Sequence, residues 1–220
     1  MKCYDSSNIL RKNYFLKTYN VSRETLEKLE YFYFLFLKWS KVINLVSPST
    51  VEDFWKRHIE DSLRVFQLHP YPSVWVDLGS GGGFPGIVTS IQLAEIKGGW
   101  VNLIESNNKK AGFLRYVLKQ TEARGKVFSC RIQEASKLIE KCDIISARAL
   151  ANLDILLKYS FPWFSKNNNI KAFFYKGCNY QLEINKAQYR WDFSFIKHNS
   201  LIENESVILE ISRLKRILTF

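Results

Sequence analysis

Apolar positions recur at helical spacing through the first third of the chain. After residue 73 they gather into short continuous runs. Over residues 22–43, Leu26, Leu29, Tyr33, Phe36 and Leu37 repeat with the period of one helix face, behind a Ser22 able to cap the first turn. A second helix is predicted over 49–68, where Ser49 and Glu52 form a capping-box pattern and Phe54, His58, Val65 and Phe66 mark an inner face. Residues 1–20 are polar and basic with scattered aromatics (Tyr4, Tyr14, Phe15, Tyr19), which suits a short helix or a frayed end.

From residue 74 the pattern alternates. Strands are predicted over 74–78, 100–105, 126–130, 143–147 and 170–176, with helices over 85–95, 108–121, 134–140, 152–164 and 180–188 between and after them. Two last strands, 191–196 and 206–213, have no helix between them. This order specifies an α/β fold: a seven-stranded, mostly parallel sheet with an antiparallel last strand. Right-handed crossovers then leave a ligand crevice at the carboxyl ends of the strands. Residues 1–70 read as a helical extension packed on the core, and 71–220 as one compact unit.

Composition narrows the partners. The chain has 220 residues, 46% of them apolar, enough for a buried core. Its net charge of +11 suits a polyanionic partner or reflects solubility alone. The four cysteines form no metal-like cluster and imply a reducing compartment. The N-terminus lacks the apolar stretch of a signal peptide. The run YFYFLFL at 31–37 is too short to span a bilayer, which takes about 20 residues. A cytoplasmic monomer without membrane attachment is the reading.

The densest chemistry is VWVDLGSGGGFPG at 74–86, five glycines in thirteen residues after an apolar run. Glycines there expose backbone N–H groups at a helix N-terminus. A P-loop is excluded because no GxxxxGK[ST] occurs. Gly81, Gly83 and Gly86 spell GxGxxG, but that frame begins three residues past Leu78, whereas a dinucleotide fingerprint turns close to the strand end. In the alternative frame Asp77 ends the strand and Gly79 and Gly81 follow at once. That arrangement resembles the cofactor loop of class I S-adenosylmethionine-dependent methyltransferases, with their Rossmann-like fold. A carboxylate at Asp77 suits cationic groups and repels a pyrophosphate. Glu105, closing the second strand, suits two ribose hydroxyls.

Further stretches, in order from about residue 22 to 177, resemble one family. They are WSKVINL at 39–45, RHIEDSL at 57–63, DLGSGGGFPG at 77–86, LIES at 103–106 followed by Lys109, Lys110, Phe113 and Leu114, SARA at 146–149, and YKG at 175–177. Together they are similar to the RsmG/GidB family of class I enzymes. The resemblance implies methyl transfer from S-adenosyl-L-methionine to N7 of a guanine in 16S ribosomal RNA, with the 30S subunit or an assembly intermediate as partner and no metal. It implies cofactor contacts at Gly79, Phe84, Ile132, Gln133 and Arg148, beside Asp77, Gly81 and Glu105. Gln133 stands where the family often has an acid, and Ser40 and Val46 depart from the usual Asn and Thr.

Guanine N7 carries an exposed lone pair, so no general base is expected. Arg148 and Lys176, at the ends of the fourth and fifth strands, are the candidate orienting residues; each also fits a plain salt bridge or a helper role. His58 reads as a satisfied core histidine on a helix near the cofactor loop. Arg11, Lys12, Lys17, Lys109, Lys110, Arg115, Lys119, Arg124 and Lys126 are candidates for a phosphate-facing surface. Other methyl acceptors, a nicotinamide-dependent oxidoreductase and a non-catalytic RNA-binding module are the alternatives. The RHIEDSL stretch counts against the first, Asp77 and the hairpin ending against the second, and the intact glycine loop against the third.

Overall fold

Strand β1 (Val74–Leu78) is buried over all but its first residue, and this places it mid-sheet. The computed structural model describes residues 6–45, 54–199 and 206–217; the cap expected at Ser49 and Glu52, and Val46, lie outside them, as does the side chain of Arg11. Helix α1 spans Ser6–Thr18 and α2 spans Arg23–Ser40. Ser22 caps α2 by accepting from the Thr25 amide, and Leu26, Leu29, Phe32, Leu35 and Phe36 form its buried face.

The next helix departs from expectation. Phe54–Glu60 winds as a π-helix and only Asp61–Leu68 (α3) is α-helical. The wider turn brings Phe54, His58, Ile59 and Glu60 all into the interior. Glu60 stays buried because the Tyr14 and Tyr19 hydroxyls donate to its Oε1 at 2.6 and 2.8 Å, which ties α1 to this segment. Burial, followed by the Glu60 hydrogen bond, raises the Tyr19 phenol well above its ordinary pKa.

The remaining elements are α4 (Gly86–Glu95), β2 (Trp100–Ile104), α5 (Asn108–Gln120), β3 (Gly125–Phe128), α6 (Ile132–Leu138), β4 (Ile144–Ala147), α7 (Leu153–Phe164), β5 (Lys171–Lys176), α8 (Tyr180–Ala187), β6 (Trp191–Asn199) and β7 (Val207–Arg216). The seven-stranded sheet has the order β3-β2-β1-β4-β5-β7-β6. The first five strands pair in parallel; β7 inserts antiparallel beside β5, and β6 pairs antiparallel with β7. The hairpin strands run longer than their apolar pattern indicated. Beyond Phe193 most of β6 is exposed, so backbone pairing rather than side-chain burial defines its end.

Strand alternation splits the core in two. Trp75, Val101, Leu103 and Phe173 face α2, α3, α4 and α5, whereas Val76, Leu78, Ile104 and Phe174 face α6, α7 and α8. The order in which strands are added reverses at β1, running to β2 and β3 on one side and to β4 and β5 on the other, so the crevice opens at the carboxyl ends of these parallel strands. Among the described residues no helix is long and apolar enough to cross a membrane.

Candidate active site

A cavity of about 780 Å³ opens at the carboxyl ends of β1 to β4. Gly79–Gly82 line it after β1, Glu105 and Ser106 after β2, Cys130–Gln133 after β3 and Arg148–Ala151 after β4. Each of these four parallel strands thus delivers residues from just past its end.

The glycine loop is shaped by its backbone. Gly79, Gly81 and Gly83 have φ of +66°, +51° and +97°, conformations that a Cβ disfavours. At Gly79 a Cβ would also lie 2.7 Å from Leu150 Cδ1, across the cavity floor. The Ser80 amide donates to Ile104 O at 2.9 Å and the Gly83 amide to Ser80 O at 2.7 Å, fixing the loop to β2 and to itself. A cis Phe84–Pro85 peptide precedes α4.

Glu105 holds the loop from the second strand. Its Oε2 accepts from the Gly81 amide at 2.9 Å and its Oε1 from the Asn107 amide at 2.7 Å. The carboxylate lines the cavity, and each oxygen keeps a lone pair for a further donor. That is a fixed acceptor pair for two neighbouring hydroxyls.

Asp77 lies elsewhere than expected. It is buried beneath the loop and is not among the residues lining the cavity. Its Oδ1 accepts from Ser146 Oγ at 2.7 Å, and Oδ2 lies against Gly86, where a Cβ would sit 2.5 Å away. Burial pushes this carboxyl up to about 6, against the lowering effect of the Ser146 hydrogen bond. The strand ends at Leu78 as expected, but Asp77 points beneath the loop, where its carboxylate braces β4 and the start of α4.

Arg148 lines the cavity but is turned toward the N-terminal helices. Its Nη2 donates to Arg57 O at 2.7 Å, its Nη1 lies 3.8 Å from Asp61 Oδ2, and its guanidinium stacks over the Tyr175 ring at 5.4 Å. The Tyr175 hydroxyl donates to Asp61 O at 2.9 Å, so α3, β4 and β5 meet in this cluster. Ala149, next in the wall, has φ of 50°, a left-handed conformation of the kind stored at binding sites.

Lys176 is withdrawn from the cavity. Its Nζ donates to Ala151 O at 2.9 Å and pairs with Glu183 at 2.6 Å, within a buried side chain. An orienting role on substrate therefore does not fit its position; it braces the 148–151 segment from behind. Gln133 does line the cavity, together with Ile132. Both sit in the first turn of α6, which starts earlier than the pattern indicated, just as β3 ends earlier at Phe128. Gln133 Nε2 donates to Tyr159 Oη at 3.2 Å, leaving its carbonyl oxygen as the acceptor on offer.

Phe84 and His58 complete the wall. The imidazole stacks on Phe84 with centroids 4.7 Å apart. His58 is buried with neither ring nitrogen hydrogen-bonded, so it is not the satisfied core histidine the sequence suggested. Burial, and then the charges of Arg148 and Arg57, push it down to about 3 and keep it neutral. Tyr159, Leu150 and Ala151 also line the cavity without having been singled out; nothing in their local sequence marks them. Of the expected basic surface, Lys110 reaches the cavity, Lys12 is paired with Glu30, Arg115 donates to Ser129 Oγ and Arg124 to Gly99 O.

The family model for rRNA small subunit methyltransferase G (GidB) matches residues 25–211. The chain belongs to this family. It is 58% identical over 196 residues to the ribosomal RNA small subunit methyltransferase G of Rhizobium rhizogenes, covering 89% of this chain and 96% of that protein. The protein of the same name from Rhizobium johnstonii is 58% identical over 197 residues, covering 90% and 96%. Among solved structures, the magnesium protoporphyrin IX methyltransferase of Synechocystis PCC 6803 with bound SAM has a TM-score of 0.55 at 12% identity. The match covers 97% of this chain and 100% of that one, a likeness of fold.

The family's cofactor fits the residues present. Glu105 offers a fixed carboxylate for ribose hydroxyls, Ile132 and Gln133 an apolar edge with one acceptor for a purine amino group, and the glycine loop open backbone for a chain without phosphates. Among the described residues no group of three or more His, Cys, Asp or Glu could hold a metal ion.

Proposed function

We propose that this chain transfers a methyl group from S-adenosyl-L-methionine to N7 of a guanine in the 16S rRNA of the small ribosomal subunit, with the 30S subunit or an assembly intermediate as partner. The carrying observation is one cavity walled jointly by Glu105, the glycine loop and the 148–151 segment. Its 780 Å³ falls in the upper part of the range for ligand sites, roughly 300–1,000 Å³, which leaves room for a base beside the cofactor.

When bound, the cofactor supplies an electrophilic methyl on a sulfonium. Glu105 takes the ribose hydroxyls, Gln133 and Ile132 the adenine, and the Gly79–Gly82 backbone the amino-acid end. Asp77 supports this arrangement from beneath, bracing β4 and α4 rather than touching the ligand. Phe84, packed on His58, fixes the loop's far end. The protein's task is alignment, because N7 already offers its lone pair and no proton need be removed. Methyl transfer moves one positive charge onto the purine. Arg148 sits in the wall with its own charge directed at Asp61 and the Tyr175 face, so little of it opposes that charge. The net charge of +11 favours a polyanionic substrate.

The test is to incubate the purified protein with methyl-labelled S-adenosylmethionine and unmodified 30S subunits, then digest the RNA and identify the labelled nucleoside. Label in 7-methylguanosine of 16S rRNA is expected. Label in any other nucleoside, or none on subunits, on protein-free rRNA and on assembly intermediates alike, overturns the reading.

A further inference from the structure

A second concavity of about 410 Å³ continues along the chain from the first. Arg148–Ala151 line the main cavity, and Asn152, Leu153 and Asp154, directly following, line this one at the start of α7. Its other wall is the end of α8 and the turn after it, with Lys186, Tyr189 and Arg190. No residue of this wall lines the main cavity.

The acids of the site are already engaged. Asp154 accepts from Trp191 Nε1 at 2.9 Å through Oδ1 and from Arg190 Nη1 at 3.2 Å through Oδ2. Glu183 is bound by the Leu153 amide and by Lys176, both at 2.6 Å. These contacts lock the start of α7 to α8 and cancel the negative charge. What faces outward is cationic and aromatic. The Arg190 side chain is 74% exposed despite its ion pair, and Lys186 has no acidic partner among the described residues. Tyr189 is 80% exposed, at the rim between them.

We infer that this second concavity is a subsite for a nucleotide adjacent to the target guanine, held single-stranded, with its base stacked on Tyr189 and its phosphate near Lys186 and Arg190. The inference rests on the RNA substrate proposed above. The linings of the two cavities adjoin at Ala151 and Asn152, so a neighbour of a guanine held in the main cavity lies within reach of this concavity, and the chemistry waiting there is an exposed aromatic ring with two cations. That combination binds single-stranded nucleic acid without reading its sequence, and every base has a face to stack.

The experiment measures equilibrium binding to protein-free, unmodified 16S rRNA, alongside methyl-transfer kinetics on the same RNA and on 30S subunits. Tyr189→Ala is expected to weaken RNA binding and raise the RNA KM about tenfold, the scale of one lost stacking contact. Cofactor affinity should be unchanged, and Tyr189→Phe, which keeps the face, should behave as wild type. Lys186→Ala should reduce the salt slope of binding by about 0.7, one single-strand phosphate. RNA binding by Tyr189→Ala within twofold of wild type overturns the subsite. So does an equal loss in Tyr189→Phe, or a defect on 30S subunits that is absent on protein-free rRNA, which would assign the surface to a ribosomal protein. Because binding is read directly, it separates this inference from the functional reading: wild-type protein that binds rRNA through Tyr189 but labels no guanine fails only the latter.

Discussion

The main cavity and the concavity beyond it are built by different means. The glycine-loop end is made by backbone: three glycines with positive φ, amides tied to Glu105 and Ile104, and Asp77 buried beneath. The 152–154 end and the α8 turn beyond it are made by side chains, of which Tyr189 and Arg190 stand mostly in solvent. A small ligand of constant shape is best held by groups that cannot move, since ordering costs are then met in folding. A polymer arriving from solution is better met by side chains that adapt. The comparison teaches that the wall built from fixed backbone is the one assigned above to the ligand of constant shape.

The strongest way to break that contrast is Glu105→Ala. It removes the acceptor for two amides, Gly81 and Asn107, and the acceptor proposed for the ribose. Each charge-assisted hydrogen bond contributes roughly 1.5–3 kcal/mol. Cofactor affinity by titration calorimetry is expected to fall about a hundredfold or more, with Glu105→Gln in between. A loss below fivefold would mean that the loop keeps its shape without this carboxylate.

A smaller effect tests how the rigid end manages buried ionisable groups. Asp77 is raised to about 6 from 3.8, so its contribution is fully present below pH 3.8 and lost as pH rises through 6. His58 is lowered to about 3 from 6.5, so its contribution is present above pH 6.5 and lost as pH falls toward 3. Between pH 4 and 6 the two slopes oppose, each at most about 1.4 kcal/mol per pH unit. Urea midpoints of the wild type should therefore vary little across this range. Asp77→Asn should become more stable as pH rises and His58→Phe less stable. Parallel profiles for all three proteins would contradict the burial of one or both groups.

The smallest effect belongs to the solvent-facing cations. Lys109, exposed in the first turn of α5 and outside the cavity lining, is one of many. Lys109→Ala should change RNA affinity less than threefold in filter-binding assays and leave cofactor affinity untouched. A larger loss would make the flexible end less redundant than its exposure implies.

Much of this was legible in the sequence, for a physical reason. Strand and helix periods differ, so the alternation after residue 73 is visible without coordinates. Strand ends mark the crevice, which is why Gly79, Gly81, Phe84, Glu105, Ile132, Gln133 and Arg148 all line it. What a single sequence hides is which partner a long side chain takes. Lys176 turns to Glu183 and Ala151, and Arg148 to Asp61 and Arg57; these are choices made by packing between distant elements. The same holds for Asp77, whose carboxylate is taken by Ser146 of the neighbouring strand and packs on Gly86. The π-winding of Phe54–Glu60 is also tertiary, since the segment carries an ordinary helical pattern and its burial on several sides selects the wider turn.

The insertion of β7 between β5 and β6 has a consequence for the order of events at the ribosome that makes this protein. Strand β6 is synthesised first, yet its sheet neighbour is β7. As the chain emerges N-terminus first, β6 waits without a native partner and β5 with an open edge until Val207–Arg216 has appeared. A nascent chain stalled before Val207 therefore carries an open edge on β5 and a wholly unpaired β6 at once, and that is a stage at which it needs a chaperone.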